Sequence, residues 1–232
     1  GRYTIFGKKP DKIWEFNGKN SYTYKLQKKI KINGEPKKVI EKLIQDFNFS
    51  IPKELPNISS ILAGYFSYDI VRYIEKIPNN CLDDLKLPDA RLIRPKILIV
   101  HDNLKKIIFF IYNCFSDEKI ENYKKKYDEI YKELEFNLYL SNFEKNKDQK
   151  KKNKIYPIKS NISKKKFLEN VDKAKRFIQI GDIFQVVLSQ RFHSKLNKSP
   201  LEIYKKLRIT NPSPFMYYFN FKDFKIIGAS PE

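Results

Sequence analysis

Cysteine and histidine are both scarce in this chain of 232 residues, which contains two of each. Cys81 and Cys114 lie far apart, neither belongs to a Cys-x-x-Cys pair, and only His101 and His193 could join them. Structural zinc sites need closely spaced thiolate and imidazole ligands, which this spacing does not offer. Two reduced thiols are typical of a cytoplasmic protein, and that is the localisation that we predict.

Long apolar runs are missing as well. The longest, Ile107 to Tyr112, is much shorter than the roughly 20 residues that a membrane-spanning helix needs. We therefore expect no association with a membrane. The chain opens on Gly1 rather than on methionine, inside a pattern typical of a strand, which indicates a fragment of a longer protein.

The chain also lacks the short motifs of several large enzyme classes. It contains no Walker loop, no Gly-x-Gly-x-x-Gly fingerprint, no Gly-x-Ser-x-Gly elbow and no His-Glu-x-x-His motif. His101 ends an apolar stretch and His193 follows one, so both fit ordinary strand-edge residues better than catalysts. The enzyme classes that the four missing motifs define therefore lose support.

Arginine is scarce although the chain is strongly basic, with a net charge of +20. Lysine carries nearly all of this charge and is mixed with asparagine and isoleucine along the whole chain. Arginine is the residue that best forms bidentate phosphate contacts, so the composition favours solvated lysine faces over a surface that binds polyanions. A basic module that binds nucleic acid remains the alternative from a different functional class.

Turn and helix signals predict an α+β fold, in which antiparallel and mixed sheets pack against helices. We predict a first domain over residues 1–141, a lysine-rich charged linker over 142–160 and the start of a second domain over 161–232. The predicted elements of the first domain are two short strands before a turn at Asn17-Gly18, a helix from Glu35-Pro36, a strand over Ile61 to Tyr68 with close backbone approach at Gly64, a hairpin turning at Asp102-Asn103, and a helix over 117–137.

One segment of the second domain, Gly181 to Phe192, has the pattern of a strand with one polar face. Alternation places Gln185, Ser189 and Arg191 on the same side, among aliphatic residues, and leaves the other side almost entirely apolar. Such a mixture is typical of a largely buried strand that faces a ligand. The segment follows a predicted helix that begins after Ser163.

Two short proline motifs follow, Asn211-Pro212-Ser213-Pro214 and, at the end of the chain, Gly228 to Glu232. A helix with a capping box at Ser199 to Glu202 precedes the first motif, and a predicted hairpin turning near Lys222-Asp223 joins the two. Each motif alone also fits an ordinary turn or strand end. The carboxylate of Glu232, directly after a turn, is well placed for acid-base chemistry.

Taken together, GDIFQVVLSQRF, NPSPFMYYF and GASPE, in this order, resemble the first part of the chorismate-binding half of the anthranilate synthase component I family. The stretches GRYTIFGKKPDKIW, GYFSYDIVRYIEKIPN and LPDARLIRPKILIVHD are similar to the N-terminal region of that family. The resemblance covers almost the whole chain outside the linker. Aminodeoxychorismate synthase component I, of the folate pathway, typically differs in the first two motifs and is the alternative.

The resemblance implies a regulatory site for tryptophan, the end product that inhibits the family. The residues that would hold the inhibitor are Pro214, Phe215 and Met216, supported by Asn211, Pro212 and Gly228. A serine that also contacts tryptophan in the family would lie before Gly1.

The resemblance also implies a reaction, in which chorismate and ammonia give anthranilate and pyruvate. Gln185 matches the position where water-adding relatives carry a lysine base, and Glu232 matches a general acid that protonates the departing hydroxyl. Mg²⁺ would anchor the substrate through ligands beyond residue 232, and a glutamine amidotransferase subunit would deliver the ammonia. We therefore expect residues 1–232 alone to be inactive.

Overall fold

The computed structural model describes residues 1–25, 28–47, 50–115, 123–144 and 156–231. The chain divides into two compact units, Gly1–Phe143 and Glu144–Glu232. Both combine antiparallel strands with helices, so the predicted α+β class is confirmed.

In the described part of the first unit, six strands form one antiparallel sheet. Its strands are β1 (Tyr3–Asn17), β2 (Asn20–Lys25), β3 (Lys28–Ile32), β4 (Ala63–Phe66), β5 (Ala90–Asp102) and β6 (Ile107–Tyr112), and its helices are α1 (Pro36–Asp46), a 3-10 helix (Tyr68–Tyr73) and α2 (Tyr123–Glu144). Five strands follow the order β3-β2-β1-β5-β4, and β6 pairs with the second half of β5. The long strand β5 is therefore the centre of the unit.

The first strand is longer than predicted. Instead of two short strands, β1 is continuous and pairs with β5 along its length, with an irregularity between Pro10 and Lys12. The inserted residue, Asp11, accepts a hydrogen bond from Nε of Arg94 at 3.0 Å, and both side chains are largely buried. A bulge absorbs one extra residue without ending the strand, which is why the predicted break is wrong here.

The core of the first unit lies between the sheet and α1, with an extension toward β6. Phe16, Ala90 and Leu92 of the sheet pack against Leu43 of the helix. Leu98, Val100 and Ile111 continue the apolar layer at the other end of β5. The helix begins at Pro36 as predicted, because proline suits the first helical position and Leu43 lies on its apolar face.

Gly64 lies where β4 approaches the backbone of β5. A Cβ atom at this position would lie 2.0 Å from the carbonyl oxygen of Arg91. No side chain fits into that distance, so the close backbone approach predicted from the sequence is confirmed.

A buried ionic cluster joins β1, β2, β3 and β5 on one face of the sheet. The carboxylate of Glu15 accepts hydrogen bonds from Tyr24 at 2.8 Å, from Lys29 at 2.5 Å and from Arg91. Burial opposes ionisation of Glu15, but the bonds from Lys29, Tyr24 and Arg91 outweigh it and hold the pKa of this carboxyl below its ordinary value. The cluster ties four strands together through one charged side chain.

The helix α2 packs onto the same sheet. Phe110 of β6 makes edge-to-face ring contacts with Tyr127 and Tyr131, and Glu133 bonds Lys8 at 2.8 Å and Lys9 at 2.5 Å. The helix extends beyond its predicted end to Glu144, so the first residues of the predicted linker 142–160 are helical. Residues 117–122 of the predicted helix and 145–155 of the linker lie outside the described residues.

The described part of the second unit, residues 156–231, contains two helices and two short antiparallel pairs of strands. The elements are β7 (Lys159–Ser160), α3 (Lys164–Gln179), β8 (Phe192–His193), α4 (Pro200–Thr210), β9 (Phe215–Asn220) and β10 (Lys225–Ser230). Ser163 caps α3 by accepting a bond from the backbone of Lys166, and Ser199 and Glu202 form the predicted capping box of α4. Both predicted helix starts are confirmed.

The predicted strand over Gly181 to Phe192 is wrong for most of its length. Only Phe192 and His193 form a strand, paired with Ser160 and Lys159. The side chain of Phe184 is fully exposed and that of Val187 is 79% exposed, so the predicted apolar face is not buried. A strand requires a hydrogen-bonding partner, and in the described part of the second unit only two residues of β7 pair with this stretch.

Within the described residues, no helix combines the length and the apolar character that crossing a bilayer requires.

Candidate functional site

The hairpin β9–β10, together with the turn that precedes it, holds most of the residues predicted to bind an effector. Helix α4 ends as Asn211 leaves helical geometry, while its N–H still donates to the carbonyl of Leu207 at 2.8 Å. Pro212 and Pro214 follow, and neither proline can continue the helix. The chain therefore turns directly from α4 into β9.

The register of the hairpin brings the two proline motifs together. Phe215 pairs with Ser230, Met216 with Ala229 and Tyr217 with Gly228. On β10, Gly228 comes just before Ala229 and Ser230, the partners of Met216 and Phe215. Gly228 is therefore close to Phe215 and Met216 in space, although it is distant from them in the sequence. The structure groups the predicted residues Asn211, Pro212, Pro214, Phe215, Met216 and Gly228 around one end of the hairpin.

The two faces of the hairpin differ in their partners. On one face, Tyr218 packs against Tyr204 of α4, with ring centroids 5.8 Å apart. On the opposite face, Tyr217 stacks on Phe219 at 5.5 Å, and Phe219 contacts Phe221 at 5.8 Å. Phe215 shares that face by alternation and is 59% exposed. The hairpin therefore presents an aromatic row, accessible at Phe215, on the side away from α4.

Tyr217 is a residue of this region that the sequence did not single out. Its ring covers Gly228, because a Cβ atom on Gly228 would lie 2.1 Å from Cζ and 2.3 Å from the hydroxyl oxygen of Tyr217. The sequence signal was a tyrosine directly opposite a glycine across a predicted hairpin. An aromatic ring over a cross-strand glycine fills the space that the missing side chain leaves.

Replacing Gly228 by alanine is expected to displace the Tyr217 ring. Overpacking of this kind costs about 1–3 kcal/mol, and we expect a matching fall in the melting temperature of the protein. A double variant, Gly228→Ala with Tyr217→Ala, serves as the control because alanine at 217 makes room for the new methyl group. Equal melting temperatures for Gly228→Ala and the unsubstituted protein would contradict this packing.

The two predicted catalytic residues, Gln185 and Glu232, are not among the residues of the hairpin that the structure describes. Gln185 lies in the irregular segment between α3 and β8, and its side chain is exposed. Glu232 lies outside the described residues; the last described positions before it are Ser230, which ends β10, and the exposed Pro231. No strand pairing connects Gln185 to the hairpin within the described residues.

The described residues do not form a metal site. None of their histidine, cysteine, aspartate and glutamate side chains come together in a group of three or more that could hold a metal ion. Mg²⁺ prefers several oxygen ligands, and this part of the chain does not provide them.

Comparison with known proteins places the chain in a family. Residues 4–232 match the family model described as chorismate binding enzyme. Because the match covers nearly the whole sequence, the chain belongs to the chorismate binding enzyme family, and the resemblance seen in the motifs is confirmed.

Several relatives within the chorismate binding enzyme family carry the same name, anthranilate synthase component I. The chain is 37% identical over 244 residues to anthranilate synthase component 1 of Acetivibrio thermocellus, an alignment that covers 100% of the chain and 48% of the relative. It is 33% identical to the enzyme of the same name from Cereibacter sphaeroides, again over 100% of the chain and 48% of the relative. The crystal structure of anthranilate synthase component I from Streptococcus pneumoniae TIGR4 matches with a TM-score of 0.80 at 27% identity, over 100% of this chain and 51% of the other. The chain spans about half the length of these relatives.

Proposed function

We propose that this chain is part of component I of a cytoplasmic anthranilate synthase, which converts chorismate and ammonia into anthranilate and pyruvate, the first step of tryptophan biosynthesis. One observation carries the proposal: relatives named anthranilate synthase component 1 align with the entire chain at up to 37% identity. The motifs Gly181 to Phe192 and Asn211 to Phe219 favour this activity over that of aminodeoxychorismate synthase component I.

In this proposal Gln185 and Glu232 divide the chemistry at the ring. The amide of Gln185 is neutral and cannot remove a proton from water, which suits an enzyme whose nucleophile is ammonia. Glu232 donates a proton to the departing hydroxyl, a role that requires its carboxyl to be protonated before the bond breaks. Loss of pyruvate then makes the ring aromatic.

The rest of the machinery lies outside these residues. Mg²⁺ would supply charge to hold the substrate carboxylate, and its ligands are expected from the part of the relatives' length that this chain does not cover. A glutamine amidotransferase subunit is the proposed ammonia donor. Residues 1–232 alone are therefore expected to be inactive.

The hairpin end is the proposed tryptophan site. Phe215 and Met216 lie across from Ser230 and Ala229, beside Gly228, and alternation places their side chains on opposite faces of β9. The exposed ring of Phe215 suits stacking with an indole ring, and the thioether of Met216 borders the same short region from the face toward α4. Inhibition by tryptophan is thus part of the proposal.

Complementation tests the proposed activity in cells. The full-length gene is expected to restore growth, on medium rich in ammonium, to a bacterial strain that lacks anthranilate synthase component I. A strain that lacks aminodeoxychorismate synthase component I is the matched control. Growth of the control strain alone would overturn the proposal in favour of the folate enzyme.

Replacing Gln185 by lysine in the full-length enzyme is expected to shift the product toward addition of water. The uncharged amine form of a lysine can remove a proton from water, whereas the glutamine amide cannot. Chromatography of the reaction mixture measures the ratio of the water adduct to anthranilate. Gln185→Met is the matched control, since it has no base and should lower the rate without raising the share of the water adduct. An unchanged product ratio for Gln185→Lys would count against the role of Gln185.

A further inference from the structure

Two side chains just before α3 hold the far end of the segment 182–191. Oδ1 of Asn161 accepts a hydrogen bond from the backbone N–H of Arg191 at 2.8 Å, and the backbone N–H of Asn161 donates to the carbonyl of Arg191 at 2.9 Å. Beside it, the hydroxyl of Ser160 donates to Oε1 of Gln190 at 2.9 Å. Asn161 thus bonds both backbone groups of Arg191, as a residue in a paired strand would.

The near end of the same segment is fastened to the C-terminus of α3. The backbone N–H of Gly181 donates to the carbonyl of Ile178 at 3.2 Å, and that of Asp182 donates to Phe177 at 3.0 Å. Gly181 has a φ of 84°, in the left-handed region that glycine adopts without strain and that commonly ends helices. Both ends of the segment are therefore fixed, each by bonds to the backbone.

The distance between these two ends determines the shape of the segment. Helix α3 has 16 residues and is about 24 Å long at 1.5 Å per residue. The segment starts at the C-terminal end of this helix and finishes against residues that precede its N-terminal end. Residues 182–190 reach at most about 30 Å when extended and only about 14 Å as a helix. The segment therefore cannot be helical. Its backbone bends at Asp182 and Phe184, and residues 185–191 contain no further turn or bend and run close to extended, although they form no sheet.

In an extended backbone, successive side chains point to alternate sides. The hydrogen bonds that orient Arg191 therefore also determine the side on which each preceding side chain lies. Gln185 is an even number of residues before Arg191 and lies on the same side of the backbone. A shift of one residue would turn Gln185 to the opposite side. Bonds to both backbone groups of Arg191 oppose such a shift, because the neighbouring residues present their N–H and carbonyl groups in the opposite direction.

We propose that Ser160 and Asn161 are positioning residues that fix the register of the segment 182–191 and thereby the side on which Gln185 lies. Their contribution to catalysis rests on the proposed function, in which Gln185 faces the reacting ring. The hydrogen bonds themselves do not depend on that function and are measurable separately.

The experiment compares three variants of the full-length protein. Asn161→Ala removes the acceptor for Arg191, Asn161→Asp keeps an acceptor oxygen, and Lys159→Ala changes an exposed side chain of β7, the short strand that ends just before Asn161. In Asn161→Ala we expect the Arg191 amide to exchange hydrogen about tenfold faster, as for loss of one hydrogen bond. We also expect kcat with ammonium to fall about tenfold, with the KM for chorismate and the melting temperature little changed. Asn161→Asp should restore both the protection and kcat, and Lys159→Ala should resemble the unsubstituted protein.

Several outcomes would overturn the assignment. Unchanged exchange at Arg191 in Asn161→Ala, or failure of Asn161→Asp to restore protection, would show that the side chain does not hold the segment. Faster exchange with an unchanged kcat would contradict the positioning role, as would an equal loss of kcat in Lys159→Ala. If the unsubstituted protein makes no anthranilate, the proposed function fails, and the exchange rates alone then decide whether Asn161 fixes the register.

Discussion

Replacing Glu232 by glutamine in the full-length enzyme is expected to lower kcat for anthranilate formation by about 10²- to 10⁴-fold, the range for loss of a general acid. Glutamine keeps the size and the hydrogen-bonding reach of the side chain but has no acidic proton to give to the departing hydroxyl. The KM for chorismate should change much less, because proton donation matters in the transition state and not in the bound substrate. Steady-state kinetics with ammonium as the nitrogen source measures both constants.

A control variant in the second unit distinguishes loss of the general acid from general destabilisation of the protein. Glu169 lies on α3, where its carboxylate is half exposed and 3.5 Å from Lys166. Glu169→Gln removes the same charge at the surface and should leave kcat unchanged. A Glu232→Gln enzyme within about threefold of the unsubstituted rate would remove Glu232 from the chemistry, because a general acid contributes far more than that.

Truncation of Glu15 to alanine is expected to destabilise the first unit by about 3–5 kcal/mol, because it removes the carboxylate that compensates the buried charge of Arg91. Glu15 and Arg91 are 3% and 7% exposed, and the carboxylate also receives bonds from Tyr24 and Lys29. For a unit of this size, such a loss corresponds to a fall in melting temperature on the order of 10 °C. Calorimetry of the unsubstituted and variant proteins measures the difference.

Removal of both charges distinguishes a buried ion pair from simple loss of packing. The double variant Glu15→Met with Arg91→Met replaces the pair by apolar side chains and should recover most of the lost stability. A double variant as unstable as Glu15→Ala would contradict this explanation.

The same cluster gives stability a defined pH dependence. The folded protein holds the pKa of Glu15 below its ordinary value, so the cluster contributes its full stabilisation above the unfolded pKa of the carboxyl. That contribution is lost as the pH falls through the lower pKa of the folded state. The Glu15→Met, Arg91→Met protein should lack this part of the acid sensitivity.

Features set by neighbouring residues were predictable from the sequence. The capping box of Ser199 and Glu202, the cap at Ser163 and the turn at Asn17-Gly18 each depend on a few adjacent residues, and all three are present. Gly64 was also predictable, since a glycine within a strand pattern commonly marks close backbone approach. The grouping of Gly228 with Phe215 and Met216 followed from the predicted hairpin, whose register depends on the turn near Lys222.

Features that depend on distant residues were not predictable in the same way. The hydrogen bond between Glu15 and Arg91 joins positions 76 residues apart, and no local pattern identifies such a partner. The segment after Gly181 has the alternation of a strand, but pairing requires a neighbouring strand, and among the described residues only Ser160 and Lys159 pair with its end. Periodicity thus indicated which side chains alternate, while the hydrogen-bonding partners decided whether a sheet formed.

The product formed by the full-length protein tests the central claim most directly. Incubated with chorismate, Mg²⁺ and ammonium, the protein is expected to release anthranilate and an equal amount of pyruvate, identified by fluorescence and chromatography. Accumulation of aminodeoxychorismate without pyruvate would contradict the assignment and favour the folate enzyme.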